Sequence, residues 1–516
     1  MDSFLVYNFS GELDEVSHLF PNERLAKIAA IVRVGGKDVT VLDRANFSDM
    51  ADFGSEYMEN LGHLSFHDSN ELYRGRVEQE ARLIVGGGFD CVFMNLWHGS
   101  GFKFSVDLIN EIKRLRPSVK IYGIGQKVDW FSDHILRLGH GAWDGLITGL
   151  GYNAVENIVA GKKFWDSPNV VFSSGEGVVS NPRETMSVDS YPRAAYDSSV
   201  YLNIDHKLPV YSLTLSNQAC PNRCVFCVRP ENYGREVKKR EVNAVLDELK
   251  DLRFNHGVKH FRIEDSTPPG NALTELAESI VSSGLQKDIS LSAFSRVDMN
   301  SGENFRLLKE AGFVSLFFGL ESLDDGHLKR MRKGFTFETV GETLAKAHSA
   351  GIKTVGSFMF PSPGETRITM ETTLGRIAEL RSVLDSVLVL PATVPPSTEW
   401  ARSPSDFGIK LDADYIEQSI IYSVKYEVPI EHWKPFPFTY DLEGIPADKV
   451  TFADIARLNT EFTSRIRNEI GIPRIPDYYF LLADFAGEDP EKTWKTIVGS
   501  IMKRDYGRLR DFFGKI

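Results

Sequence analysis

A chain of 516 residues and 58.0 kDa exceeds one hydrophobic core, and at about 100–200 residues per domain it predicts roughly three domains. Its 42% hydrophobic and 25% charged residues exclude disordered, collagen-like and coiled-coil chains, and a net charge of −12 argues against unspecific binding to nucleic acid or an anionic membrane surface. The opening MDSFLVYNFSGELDE has no basic stretch ahead of an apolar one and no segment offers about 18 uninterrupted apolar residues, so no membrane insertion and a cytoplasmic location are expected.

Residues 1–165 alternate short apolar runs with helical patterns and predict an α/β domain of the doubly wound, Rossmann-like kind. Strands are expected at Ser3–Tyr7, Asp38–Leu42, Asp90–Leu96, Val119–Gly123 and Asp144–Thr148. Leu25, Ile28, Ala29 and Val32 recur at helical spacing, which predicts a helix over Asn22–Val34 with Asn22 as N-cap. The polar insertion Arg44–Glu80 reads as partly helical. Three strands run into glycine-bearing loops, NLWHGSG (Asn95–Gly101), YGIGQ (Tyr122–Gln126) and TGLGYN (Thr148–Asn153), at the sheet end where such folds place ligands. Simple turns are the plainer reading of the same glycines.

Residues 166–205, rich in Ser, Pro, Asn and Asp, read as a linker that wraps. Over 206–400 a second alternation predicts strands at Tyr211–Ser216, Val258–Glu264, Ile289–Phe294, Val314–Leu320, Lys353–Phe360 and Asp385–Leu390. Six β/α units are two short of a closed eightfold barrel and leave a cleft, with ligands expected at the carboxyl ends of the strands. Residues 401–516 read as mostly helical, broken by the aromatic and proline-rich HWKPFPFTY (His432–Tyr440), whose aromatics suit a packed wrap over the barrel.

Four cysteines are too few for a disulfide framework. Cys91 lies in the apolar run DCVFMNL and reads as a packing residue. Cys220, Cys224 and Cys227 stand at spacing C-x3-C-x2-C directly after the first barrel strand. A structural zinc site is closed by four ligands, whereas three thiolates suit a four-iron cluster with one open iron. A zinc site or a redox pair is the bland alternative.

The loop SNQACPNRCVFCVRP resembles that of the radical S-adenosylmethionine (SAM) superfamily, whose signature is C-x3-C-x-aromatic-C after the first strand of a partial barrel; Cys220, Cys224, Phe226 and Cys227 match it position by position. GVKHFRIEDS, SAFSRVD, AGFVSLFFGLESLDD and TVGSFMFPSPGET follow as in the cobalamin-associated branch, covering about Tyr211 to Leu380. The resemblance implies a [4Fe-4S] cluster whose open iron binds SAM. One-electron reduction would split SAM to a 5′-deoxyadenosyl radical that abstracts hydrogen from a substrate. It further implies that Glu264 and Glu321 serve the ammonium or ribose, Ser295 and Arg296 the carboxylate, and Phe360 the adenine side. The family's glycine–glycine–glutamate motif is here IEDS. Glu264, Arg296 and Glu321 could equally be ion-pair residues of the barrel rim.

FPNERLAKIAAIVRVGGKDVTVLD and WDGLITGLGYNAVENI resemble the opening and close of the cobalamin-binding domains that precede such barrels, which implies a corrinoid near Asn95, Trp97, His98, Gly123, Gly125, Gly149 and Gly151. The D-x-H-x-x-G motif that supplies a lower axial histidine elsewhere does not occur in this sequence. The activity so implied is methylation of an unactivated carbon or phosphorus centre in a small-molecule or peptide substrate, with an electron donor such as flavodoxin or ferredoxin. A cyclisation or ring rearrangement without methyl transfer, and a non-catalytic iron–sulfur protein, are the alternatives.

Overall fold

The computed structural model describes residues 1–9, 16–46, 48–49, 71–97, 99–184, 187–298, 304–420, 436–503 and 505–514. The first sheet is built on β1 (Ser3–Asn8), β2 (Asp38–Asp43), β3 (Cys91–Asn95), β4 (Lys120–Ile124) and β5 (Gly145–Ile147), all parallel. Its parallel order is β5-β4-β3-β1-β2. Both faces are buried: on β1, Phe4 and Val6 pack toward the helices Glu23–Val34 and Tyr152–Val159, while Leu5 and Tyr7 pack toward Glu71–Gly86, Gly99–Leu115 and Gln126–Leu138. Near-continuous apolar strands are what such two-sided burial requires. Asn22 caps its helix by accepting from the Leu25 N–H at 3.2 Å. Strand order reverses between β1 and β3, the switch point at which doubly wound sheets open a crevice beyond their strand ends.

The stretch read as a linker does more than wrap. Its segments β6 (Val170–Ser174) and β7 (Gly177–Ser180) form an antiparallel hairpin beside β5, and β8 (Tyr201–Leu202) adds a parallel strand beside β2, making eight strands. Pairing of such short segments depends on contacts distant in sequence, so composition alone could not show it. Tyr196, Val200, Tyr201 and Ile204 are buried in a core that continues from the first sheet to the helices outside the second.

The second sheet has β9 (Val210–Leu213), β10 (His260–Ile263), β11 (Ser290–Ser295), β12 (Phe313–Glu321), β13 (Lys353–Met359) and β14 (Ser386–Leu390), consecutive and parallel as an open barrel. Phe261, Ile263, Leu291 and Ala293 face the outer helices. The interior is filled by the helix Asp477–Ala486, whose Tyr478, Tyr479, Leu481 and Leu482 pack with Val210 and Val355.

The carboxyl-terminal part is mostly helical, with one antiparallel pair, β15 (Ile409–Leu411) and β16 (Phe438–Tyr440). It serves both ends of the barrel. Ser290, Ser315 and Ser386, near the starts of β11, β12 and β14, hydrogen-bond to Asp484, Asp477 O and Ile475 O, so the helix 477–486 plugs the amino-terminal end. At the other end the helix Phe452–Arg465 and β16 cover the tip of β13: Asn459 donates to Phe360 O at 2.6 Å and Tyr440 OH to Pro361 O at 2.9 Å. Of the aromatic segment, Phe436 and Phe438 stack at 5.3 Å, while 432–435 lie outside the described residues. Among the described residues no helix is long and apolar enough to cross a membrane.

Candidate functional site

The cysteine loop leaves β9 under the control of one buried carboxylate. Asp265, just beyond β10, accepts from the Leu215 N–H and the Ser216 hydroxyl, and burial pushes its carboxyl up to about 6. Cys220 is buried and accepts from Asn222 Nδ2 at 3.5 Å, with Thr267 Oγ1 at 3.7 Å. Cys224 Sγ lies 3.7 Å from Arg332 O and 3.6 Å from Arg296 Nη1. Burial raises the Cys227 thiol to about 11, so its conversion to a thiolate ligand releases a proton when metal binds. Trp400 N donates to Val225 O, and the Trp400 ring meets Phe226 at 5.6 Å, pinning the loop from the carboxyl-terminal side.

Among the described residues no three or more Cys, His, Asp or Glu converge on a point suited to a single metal ion. A four-iron cluster makes no such demand, since each thiolate binds a different iron. The three-thiol donor set fits that group. Cys91, fully buried in β3, is a core residue whose thiol burial holds well above its ordinary pKa.

The residues expected around SAM divide. Ser295 and Arg296 are buried at the carboxyl end of β11 beside the loop. Arg296 pairs with Asp298: Nη2 donates to Oδ2 at 3.0 Å, and Nε stands 2.6 Å from Oδ1 as an ion pair without a hydrogen bond, so one arm of the fork expected for a carboxylate is already occupied. Glu321 closes β12 in a left-handed conformation, φ 67°, and pairs with Lys333 Nζ at 3.3 Å; Lys333 also stands 5.6 Å over the Phe226 ring. Glu264 lies 3.5 Å from Arg262 Nη1 and lines an interdomain cavity. Phe360, expected on the adenine side, lies just beyond β13 with its ring buried and stacked on Phe462 at 4.0 Å, which holds the helix 452–465 against this strand end.

That cavity, about 290 Å³, joins the carboxyl ends of β1 and β2 to the barrel. Asn8, Asp43 and Trp97 line it from the sheet, Asn22 and Arg24 from the helix start, and Ser212, Gln218, Arg262 and Glu264 from the barrel. Asn95 donates to Asn8 at 2.7 Å and Asn8 to Asp43 at 2.7 Å; Asp43 also accepts from Tyr201 OH at 2.5 Å and from buried Lys207 at 2.6 Å. This chain fixes the strand ends at the switch point. Trp97 meets His18 edge to face at 4.6 Å. His98 lies outside the described residues.

The glycines divide too. Gly149 and Gly151 line a second cavity of about 230 Å³ with Asn153, Asn169 and Arg183, and both adopt left-handed backbone. Gly123 sits inside β4, where a Cβ would meet Leu146 at 2.5 Å, and Gly125 presses against Leu96 O and Asn95. At these two positions the glycine is required by close packing of the strand end, and neither lines either of the two cavities. The two cavities share Leu150, Tyr152 and Tyr233 in their linings and lie side by side at the carboxyl edge of the sheet. Asp265, Lys333, Trp400, Arg262 and His18 were not legible as site residues, because none belongs to a spaced motif; IEDS offered the one signal, an acid beside the expected glutamate.

Residues 215–377 match the radical SAM superfamily. The match runs from the start of the cysteine loop through the strands β10 to β13 and into the helix Arg367–Glu379. Over 189 residues the chain is 29% identical to an uncharacterized methyltransferase of Pyrococcus horikoshii, 36% of this chain and 41% of that one. Over 321 residues it is 24% identical to the hopanoid C-3 methylase of Methylococcus capsulatus, 60% of each. The chain thus spans less than two thirds of either relative. In fold it is similar to the radical S-adenosylmethionine methyltransferase TsrM of Kitasatospora setae, solved with tryptophan substrate and a SAM analogue, at TM-score 0.62 and 16% identity, covering 80% of this chain and 78% of that one. A second TsrM structure holds cobalamin and a [4Fe-4S] cluster.

Proposed function

We propose that this chain is a cobalamin-dependent radical SAM enzyme that methylates an unactivated carbon or phosphorus centre of a small molecule or peptide. One observation carries the reading: Gln218, two residues before Cys220, lines the same cavity as Asn8 and Asp43 at the switch point of the first sheet, so the cysteine loop and the sheet edge open onto one space. The methyltransferase names of the two relatives and the cobalamin held by TsrM support it.

The pair of cavities suits a macrocycle with a tail, polar at the floor through Asn8 and Asp43 and walled by Tyr152, Tyr233 and Trp97. When bound, the cluster and SAM supply a hydrogen-abstracting radical, and the corrinoid supplies the methyl group. The chain's part is positional. Cys220, Cys224 and Cys227 hold the cluster, and Phe226, Ser295 and Arg296 border it. Glu264 offers an acceptor for an ammonium group, and Glu321, fixed by Lys333, offers a second at the next strand end but one. The helix 452–465 and β16 shield the barrel mouth from water at Phe360 and Pro361. A low-potential electron donor such as flavodoxin or ferredoxin completes the scheme.

Anaerobic reconstitution with iron and sulfide, followed by reduction with dithionite in the presence of SAM, tests the reading by mass spectrometry. The expected product is 5′-deoxyadenosine, lost in Cys224→Ser, with true substrates gaining one CH2. A filled cluster that never yields 5′-deoxyadenosine contradicts it.

A further inference from the structure

Arg296 occupies a place that the contact with a SAM carboxylate does not explain. It is buried, its Nη2 donates to Asp298 at 3.0 Å with Nε 2.6 Å from the same carboxylate as an ion pair, and its guanidinium carbon stands 5.3 Å over the Phe335 ring. The remaining nitrogen, Nη1, points at Cys224 Sγ, 3.6 Å away. Ring and carboxylate together hold the guanidinium with an Nη1 N–H toward that sulfur. The nearby Lys333 is paired with Glu321, so the side chain facing Cys224 with a charge-assisted donor is Arg296.

We propose that Arg296 sets the reduction potential of the cluster held by Cys220, Cys224 and Cys227, and that Asp298 moderates it. The inference rests on the cofactor reading above. Reduction adds one electron to the cluster and breaks no bond; the electron comes from the low-potential donor. Added negative charge spreads onto the thiolate sulfurs, where an N–H donor and a buried positive charge stabilise the reduced form more than the oxidised one. Burial of Arg296 limits the screening of its charge by water. Asp298 opposes that stabilisation by offsetting part of the guanidinium charge while aiming Nη1. Arg296 is therefore a positioning residue for electron entry, in a role separate from any contact with SAM.

The test is an electron-paramagnetic-resonance redox titration of the reconstituted full-length protein without SAM, so that loss of a carboxylate contact cannot produce the result. Arg296→Gln removes the charge, and its cluster is expected to titrate at a more negative potential, with a reduction equilibrium at least about tenfold less favourable, or about 59 mV for one electron. Asp298→Asn leaves the guanidinium charge uncompensated and is expected to shift the potential the other way. A merely structural disturbance does not give opposite signs. Should one variant fail to hold a cluster, the sign of the other still decides. Unchanged potentials, or shifts of one sign in both, overturn the proposal, as does an Arg296→Gln protein that loses only SAM affinity. Absence of any cluster signal in the unsubstituted protein overturns the cofactor reading itself, which iron analysis distinguishes.

Discussion

His327, Ser362 and Glu365 share one buried site under the barrel's carboxyl end: His327 Nε2 lies 2.6 Å from Ser362 Oγ, and that hydroxyl donates to Glu365 at 3.2 Å. Asp324 and Arg330 flank the group, and the Tyr440 hydroxyl is spent on Pro361 O. Burial lifts the Glu365 carboxyl from 4.5 to about 7 and depresses the His327 imidazole from 6.5 to about 4. The raised carboxyl keeps a proton that the unfolded chain loses, so its contribution to stability falls as pH rises from about 4.5 to 7. The depressed imidazole lacks a proton that the unfolded chain takes, so its contribution rises across about 4 to 6.5. The slopes oppose one another and largely cancel where they overlap. Thermal midpoints against pH are expected to fall with rising pH in His327→Gln and to rise in Glu365→Gln, over the window where the two groups cancel in the unsubstituted protein. Parallel pH profiles in all three would contradict this. Ser362 and Glu365 lie within TVGSFMFPSPGET, but His327 belongs to none of the quoted segments, and a histidine thirty-five residues before its serine leaves no spacing to read. The cysteines were legible because their ligand chemistry requires three thiols on one short loop.

At the scale of elements, the helix 477–486 shows what periodicity omits. DYYFLLADFA is apolar on nearly all sides, which announces a buried helix but not the barrel interior as its partner. Its first residue, Asp477, is buried and meets Arg262 of β10 through two bonds, 3.0 and 2.8 Å, while the Arg262 guanidinium lies 4.4 Å from the Phe294 ring centroid and 5.1 Å from that of Tyr478. Removing one partner of such a pair strands the other charge in the interior. Asp477→Ala is expected to cost about 3–5 kcal/mol in urea unfolding, and Arg262→Met with Asp477→Leu together to recover much of it. A loss near 1 kcal/mol in the single variant would show that water reaches Arg262 instead. The strands themselves were legible throughout: all eleven expected in the two sheets occur within a few residues of their expected bounds, because two-sided burial writes itself as apolar runs closed by polar or glycine residues. The hairpin β6–β7 and the edge strand β8 were not, since exposed residues of β7 carry no burial pattern.

The described residues form two sheets, the first parallel except for the hairpin β6–β7 and the second parallel throughout, with residues 166–205 contributing to the first and the carboxyl-terminal segment locking both ends of the second. Lys207, just beyond β8, reaches back to Asp43 at the tip of β2 and to Ala45 O, and Arg240, after the cysteine loop, is bound by Asp189. These buried bonds fix how the cysteine loop faces the switch point. The sequence announced each half through a local resemblance, whereas the facing of the halves depends on pairs more than fifty residues apart. In the proposed function this shared space serves two cofactors at once. The most direct measurement is the corrinoid and iron retained by one preparation, reconstituted without oxygen in iron, sulfide and hydroxocobalamin and then freed of excess by gel filtration. The account predicts stoichiometric corrinoid absorbance together with a full cluster. A full cluster with no corrinoid retained would contradict it.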